Sequence, residues 1–544
     1  MGKIISICLF LFFGAIAVIV FSNFVPYNMD EFSMYHVLSC HYYKYNLLNE
    51  VQEGCKYYDL NFLNTGLILP MREYHYMGSF TSIYYYPIFL LWKSPISARF
   101  MGIIFLMIQA LILSQIFNIG FEYIFLGLAV FFQYFFQHIS DTGVVGFQIT
   151  SVFLIYYLAI KWFENTKIRY PSLIAIVIFL GIWTKLTFFW FLPAIGIIFT
   201  MLLFENRRCV FTRKNIKKFL IQLGLLSVLL LALFCLLFLS TAPTNYNKPY
   251  LGQLFSGSGF RPLSKIFSAE ISNIEVFRSF VNPMRTTERI GYANSVDFVG
   301  KPDFFTYLFD VFLYLSVPLL WLSAFFLVKS KKEIWKSLIL YLCFIITGFL
   351  ILMTQSASVM HHAILSFPFL ILSILTIING LKESSKKITT RRILIGWCLL
   401  FIVLNAQFFT SFIKQTVELN KEKQLDFSRN HLNKILNDEY LSKNYFYVVV
   451  DWGMYYYQAL YGKKSQSVLY IPYIDEEQKV ERLREMSKEH NRKLLFIYFS
   501  ATNSVDHIKK SFSVQPCNLN EEEAKWKILL EEDENPANIC FNPQ

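Results

Sequence analysis

The stretch from Pro171 to Phe204, PSLIAIVIFLGIWTKLTFFWFLPAIGIIFTMLLF, carries a single charge, Lys185, near its middle. As one helix at roughly 1.5 Å per residue it would be about 50 Å long, well beyond a hydrocarbon core of about 30 Å. The flanking charges choose between readings. Lys161, Lys167 and Arg169 precede the stretch, and Arg207, Arg208, Arg213, Lys214, Lys217 and Lys218 follow it. Short basic loops stay on the cytoplasmic side, so a single crossing would leave one of these groups on the wrong face. Two short helices, 171–184 and 187–204, turning at Lys185 on the outer face, satisfy both.

That turn sets the parity of the whole chain. Apolar runs long enough to cross a bilayer recur at 4–24, 98–117, 120–137, 143–161, 171–184, 187–204, 217–240, 305–328, 337–355, 362–380 and 393–412. With 55% hydrophobic and 18% aromatic residues in 544, the chain falls outside the usual composition of soluble proteins. The expected fold is all-α and polytopic, with about eleven transmembrane helices within 1–412. The net charge of +12 has its source in the short loops, with further clusters at Lys329, Lys331, Lys332 and Lys336 and at Lys382, Lys386, Lys387, Arg391 and Arg392. This is positive-inside patterning and gives no support to nucleic-acid binding.

With the amino terminus inside, the outer segments are 25–97, 138–142, the Lys185 turn, 241–304, 356–361 and everything after 412. The apolar run from Ile4 continues past Ala15-Ile16-Ala17 to Phe24, which favours an uncleaved anchor over a cleaved signal peptide. Cys40 with Cys55, and Cys517 with Cys540, are the outer cysteines, and they form two pairs suited to disulfides in an oxidising compartment. From residue 413 the chain turns polar and reads as a small extracytoplasmic α/β domain. Tyr445–Val450, Ser467–Ile471 and Lys493–Phe499 are its expected strands, with helices between them at crossover spacing. Asp451 follows the first of these strands, where it suits a helix cap.

Residues able to do chemistry gather on the outer side. Asp30 and Glu31 lie six residues beyond Phe24. Solvated acids outside a span would look the same, but Glu31 and Tyr35 would share a helix face while Asp30 pointed elsewhere, which implies separate roles. Asp141 is a second outer acid. Lys185 between two apolar helices must either snorkel to the surface or pair with an anion. Arg285 and Arg289 share a face if helical, and arginine forks suit phosphate oxygens. His361 and His362 diverge by about 100° on a helix, so one of them at most enters a site; an interface pair is the plainer reading.

The run Pro26-Tyr27-Asn28-Met29-Asp30-Glu31-Phe32-Ser33-Met34-Tyr35 after a first transmembrane helix resembles the opening of the GT-C superfamily of integral-membrane glycosyltransferases, which includes the protein O-mannosyltransferases and the lipid A aminoarabinose transferases. Tyr86-Pro87-Ile88-Phe89-Leu90-Leu91-Trp92 resembles the family's juxtamembrane segment, Ala98-Arg99-Phe100 the start of its next helix, and Gly181-Ile182-Trp183-Thr184-Lys185 its Gly-x-x-Thr-Lys stretch. Asp141 stands where the family has a second outer acid. The order and sidedness of these pieces carry the likeness, over roughly residues 20–200. One departure is plain: where relatives of the aminoarabinose enzyme have Glu and Lys before the juxtamembrane proline, this chain has Tyr85 and Tyr86.

The resemblance implies a glycosyltransferase of the bacterial inner membrane with a periplasmic site. A polyprenyl-phosphate sugar would be its donor, an envelope lipid, glycan or protein its acceptor, and membrane lipids its surroundings. Asp30 would be the base, with Glu31 orienting it, touching the acceptor or sharing a divalent cation with Asp141. Lys185, Arg285, Arg289, His361, His362 and Tyr86 would contact substrate. A divalent cation fits this scheme, and no nucleotide or redox cofactor is expected. A transporter or lipid flippase is the rival from another class, and predicts acids in mid-span, broken helices and inverted repeats. A non-catalytic envelope-assembly subunit is a third reading, kept open by Tyr85 and Tyr86.

Overall fold

The computed structural model of the chain describes residues 2–24, 58–61, 68–74, 77–140, 143–165, 167–210, 212–239, parts of 312–326, 331–353, 364–382, 387–421, 439–450, 468–470, 477–499, 504–512, 514–516 and 526–531. Among these residues, six helices are long and apolar enough to cross a membrane, and five shorter apolar helices accompany them. The chain is a polytopic, mainly helical membrane protein with a small carboxyl-terminal sheet.

Helix α1 (Gly2–Phe24) leads to a short antiparallel ribbon, β1 (Tyr58–Asn61), β2 (Ile68–Tyr74) and β3 (Met77–Gly78), paired in that order. The ribbon was not anticipated in the first outer loop. Next come α2 (Phe80–Leu91) and α3 (Pro95–Phe117). Local chemistry sets the ends of α3. The Ser94 hydroxyl accepts from the Ile96 amide, Pro95 fills the first turn where no amide partner is needed, and Asn118 closes the helix in the left-handed conformation at φ 50°. Helices α1 and α3 run antiparallel: Arg99 Nη1 donates to Ser22 Oγ at one end, while Phe10 meets Phe121 and Phe125 just past the other.

The 120–137 span is not one helix. It is α4 (Phe121–Val130) and α5 (Phe132–Ser140), interrupted at Phe131, whose ψ is 86°. A break inside a bilayer frees a carbonyl, which must find a donor from protein. Asn405 Nδ2, from a distant helix, donates to Val130 O. The Phe131 ring stacks on Phe367 at 5.7 Å and against Tyr134 at 6.0 Å.

The stretch that sets the parity folds as two antiparallel pieces. Helix α6 (Val144–Asn165) is followed by α7 (Arg169–Thr184), a 3-10 turn (Leu186–Phe191) and α8 (Leu192–Glu205). Gln148, near the start of α6, bonds the Lys185 carbonyl, whereas Phe199 in α8 packs on Trp162 and Phe163 near the end of α6. Residues 148 and 162 are about 21 Å apart along a helix, and 185 and 199 cover a similar distance in the same sense, so α8 runs parallel to α6. Helix α7 therefore runs along α6, the chain reverses at Lys185, and α8 returns. The reversal needs no glycine: Lys185 itself is extended at φ −162° and ψ 139°.

The basic clusters gather at the other end. Helix α9 (Arg213–Leu239) follows Arg207 and Arg208. At the start of α10 (Lys332–Met353), Lys332 and Lys336 both pair with Glu205, the latter at 2.9 Å. Ser337, one residue on, exchanges hydrogen bonds with Ser373 of α11 (Phe367–Lys382), which leads α11 toward the same end. Helix α12 (Lys387–Lys421) is 35 residues long, about 52 Å at the usual rise, so its polar last turns continue past the expected span limit at 412. The large apolar side chains left uncovered, among them Leu91, Val228, Leu231 and Phe326, make the surface a bilayer requires.

After α13 (Glu439–Asn444), the carboxyl-terminal part forms β4 (Tyr445–Val449), β5 (Val468–Tyr470), α14 (Glu477–His490), β6 (Lys493–Phe499), α15 (Ser504–Ser511), β7 (Val514–Pro516) and β8 (Trp526–Glu531). The order across the sheet is β5-β4-β6-β8-β7. The first three strands are parallel and coincide with the expected strands, and β8 and β7 add an antiparallel edge that was not anticipated. One face packs Phe446, Val448, Leu494 and Phe496 against Val480, Leu483 and Met486 of α14, Ile508 of α15 and Phe512 just beyond it. Every residue of β4 is buried, as expected of a central parallel strand.

Candidate functional site

Lys185 is the centre of the described site. It is only 7% exposed, so protein encloses the side chain. Its backbone carbonyl accepts from Phe188 N at 3.1 Å, inside the 3-10 turn, and from Gln148 Nε2 at 3.0 Å across to α6. Gln148 Oε1 in turn accepts from Thr187 Oγ1 at 3.0 Å. Thr184 Oγ1, on the other side of the lysine, donates back to Leu180 O at 2.8 Å. The turn that presents Lys185 is thus fixed by buried neutral polar groups on both flanks.

The first outer loop closes directly on this turn. A Cβ on Gly78 would lie 1.5 Å from the Trp183 carbonyl oxygen, so only glycine permits β3 to approach α7 this closely. Trp183 continues into an aromatic layer. Phe80 lies 5.2 Å from Trp183 and 5.2 Å from Phe147, and Tyr84 stacks on Phe147 at 5.5 Å and meets Phe105 edge-on at 5.5 Å. Gly143, at φ +102°, starts the entry into α6 beneath Tyr84 and Phe105.

Two further buried basic side chains lie at the same end. Arg99 is fully buried at the start of α3, with Ser22 Oγ at 3.3 Å and the Phe21 ring centroid 5.4 Å away. His138 of α5 is fully buried, and its surroundings set the tautomer: Nδ1–H donates to Tyr134 O at 2.8 Å, and Nε2 accepts from Gln109 Nε2 at 2.9 Å. Gln109 also donates to Thr150 Oγ1 at 3.0 Å and accepts from the Tyr134 hydroxyl at 2.7 Å. Neither Arg99 nor His138 was singled out as a site residue from sequence. Each is the one basic residue of its helix, and that was the available signal.

The Tyr85-Tyr86 departure has a structural account. Tyr85 is fully buried, and its hydroxyl donates at 2.6 Å to Ser97 Oγ, which itself donates to Ser94 O at 2.7 Å. The tyrosine ties α2 to the cap of α3. Tyr86 faces away, 43% exposed. Asp30, Glu31, Asp141, Arg285, Arg289, His361 and His362 lie outside the described residues, as do Cys40, Cys55, Cys517 and Cys540. Among the described residues, no group of three His, Cys, Asp or Glu side chains is placed to hold a metal ion.

No family model matches the chain, and no curated protein matches it. Among solved structures it is similar to the crystal structure of ArnT from Cupriavidus metallidurans in the apo state, with 11% identity over 97% of this chain and 98% of that one and a TM-score of 0.46. It is also similar to the Archaeoglobus fulgidus oligosaccharyltransferase in the apo form, with 13% identity over 90% of this chain and 69% of that one and a TM-score of 0.38.

Proposed function

We propose that the chain is a membrane glycosyltransferase that moves a sugar from a polyprenyl-phosphate donor to an envelope lipid, glycan or protein, at the periplasmic face of a bacterial inner membrane. One observation carries the reading. An enclosed lysine, Lys185, sits at a reversal between two short apolar helices, at the end of the bundle where α1 delivers the chain toward Asp30 and Glu31. A lysine at that place can meet the phosphate of a lipid-linked sugar, an anion that arrives from the membrane.

In the proposed step, an acceptor hydroxyl attacks the anomeric carbon while Asp30 takes its proton. The new glycosidic bond forms as the bond from anomeric carbon to phosphate oxygen breaks, and the sugar inverts. Lys185, with Arg285 and Arg289, meets the charge of the departing phosphate. Glu31 and Asp141 supply the carboxylate oxygens that a divalent cation would take. His361, His362 and Tyr86 are further candidates for substrate contact.

The test is transfer from labelled polyprenyl-phosphate sugars in membranes holding the wild-type chain or Asp30→Asn. Loss of transfer in the variant is expected. Equal transfer by both would remove Asp30 as base.

A further inference from the structure

Lys185 is held by its backbone, and the holding group comes from another helix. Gln148 of α6 is fully buried, and it spans two atoms of the Lys185 turn: its Nε2 donates to the Lys185 carbonyl, and its Oε1 accepts from Thr187 Oγ1, both at 3.0 Å. Those two bonds use both ends of one planar amide. The turn is thereby fixed in rotation as well as in distance. On its opposite side, the Trp183 carbonyl abuts Gly78 of the first outer loop.

We infer that Gln148, with Thr187, is a positioning element for phosphate recognition, orienting the turn so that the Lys185 ammonium faces the phosphate of the lipid-linked donor. The inference rests on the proposed role of Lys185 and extends it to a residue on the preceding helix, α6. Simple packing does not account for the pair. Leu or Met would fill the volume of Gln148 in an apolar helix contact without bringing polar groups that must be satisfied. An amide at this place has the two functions needed to clamp a helix reversal, a donor for the freed carbonyl and an acceptor for the next hydroxyl.

The test uses the purified full chain in detergent, with polyprenyl monophosphate and uncharged polyprenol as paired probes. Gln148→Leu should weaken monophosphate binding about tenfold, the effect expected when a hydrogen bond to a charged group loses its geometry, and leave polyprenol binding unchanged. Thr187→Val should do the same to a smaller degree, and Thr187→Ser, which restores the hydroxyl, should bind like wild type. Thr187→Val removes only one hydroxyl, so it carries the test if Gln148→Leu fails to fold. Equal weakening of both probes would mark Gln148 as merely structural and overturn the inference. Lys185→Gln separates the two levels of the reading. If it abolishes the preference for monophosphate while Gln148→Leu and Thr187→Val keep it, the positioning role falls and the lysine's role stands. If Lys185→Gln itself keeps the preference, both fall.

Discussion

Gly78→Ala probes whether the first outer loop and the Lys185 turn act as one unit. A methyl built on Gly78 would lie 1.5 Å from Trp183 O, 2.4 Å from Trp183 Cδ1 and 2.6 Å from the Trp183 carbonyl carbon. An ordinary carbon–oxygen contact is nearer 3.4 Å, so β3 and α7 must separate by about 2 Å. The obstructing atoms are backbone, which cannot rotate aside, and Lys185 lies two residues beyond. Overpacking of this kind costs about 1–3 kcal/mol, and here a side chain proposed to touch substrate moves with it. The variant should lose at least tenfold in sugar transfer, since a misplacement of about 1 Å at a reacting centre can cost a hundredfold. Gly127→Ala is the matched control. It lies inside α4 with nothing within 4 Å of the added carbon, and should be neutral or stabilising by up to about 1 kcal/mol. Thermal unfolding in detergent and transfer from a labelled lipid-linked donor would be measured for both. Wild-type stability and activity in Gly78→Ala would refute the close approach of loop and turn.

Three other perturbations address separate parts of the molecule. Asn405→Leu leaves the Val130 carbonyl without that donor at the α4–α5 break and should cost about 1–3 kcal/mol in thermal unfolding; an unchanged melting temperature would show that the break needs no support from α12. Glu205→Gln removes the carboxylate shared by Lys332 and Lys336, whose side chains are 56% and 19% exposed, and should lower stability by roughly 1 kcal/mol while sparing lipid-phosphate binding at the Lys185 end. Chelation with EDTA should abolish transfer, and magnesium or manganese should restore it, if Glu31 and Asp141 share a cation; full activity in EDTA would discard that part of the proposal.

The features that sequence revealed are those written in charge. The reversal at Lys185 was legible because basic residues flank the 171–204 stretch on both sides, and parity follows from sidedness alone. The three parallel strands were legible from runs of aromatic and β-branched residues. The break at Phe131 was not: Val130-Phe131-Phe132 contains no proline or glycine, and its stabilising donor comes from Asn405, 275 positions away. The β1–β3 ribbon was hidden for a similar reason, since short strands in a long polar loop lack a sustained alternation. Gln148, His138 and Arg99 appear in sequence as polar residues scattered within mainly apolar stretches. Their meaning lies in partners on other helices, which linear spacing does not show.

The placement of buried charge bears on the choice between enzyme and transporter. The break at Phe131 is a feature transporters use, but there it is lined by Phe367, Phe401 and Tyr134, and its freed carbonyl is met by a neutral amide. A cation-coupled transporter needs carboxylates within its spans. Among the described residues the buried ionisable set includes Arg99, His138 and Lys185 and no carboxylate. All three basic groups lie toward one end, where Arg99 meets the last turn of α1, His138 meets Gln109 near the start of α6, and Lys185 caps α7. The opposite end holds the ion pairs of Glu205 with Lys332 and Lys336. His138 already engages both ring nitrogens, so Arg99 and Lys185 are the enclosed cationic side chains at that end, and passage through the bundle would require polar groups continuing between the two ends. That asymmetry suits the one-sided transfer proposed above better than it suits translocation.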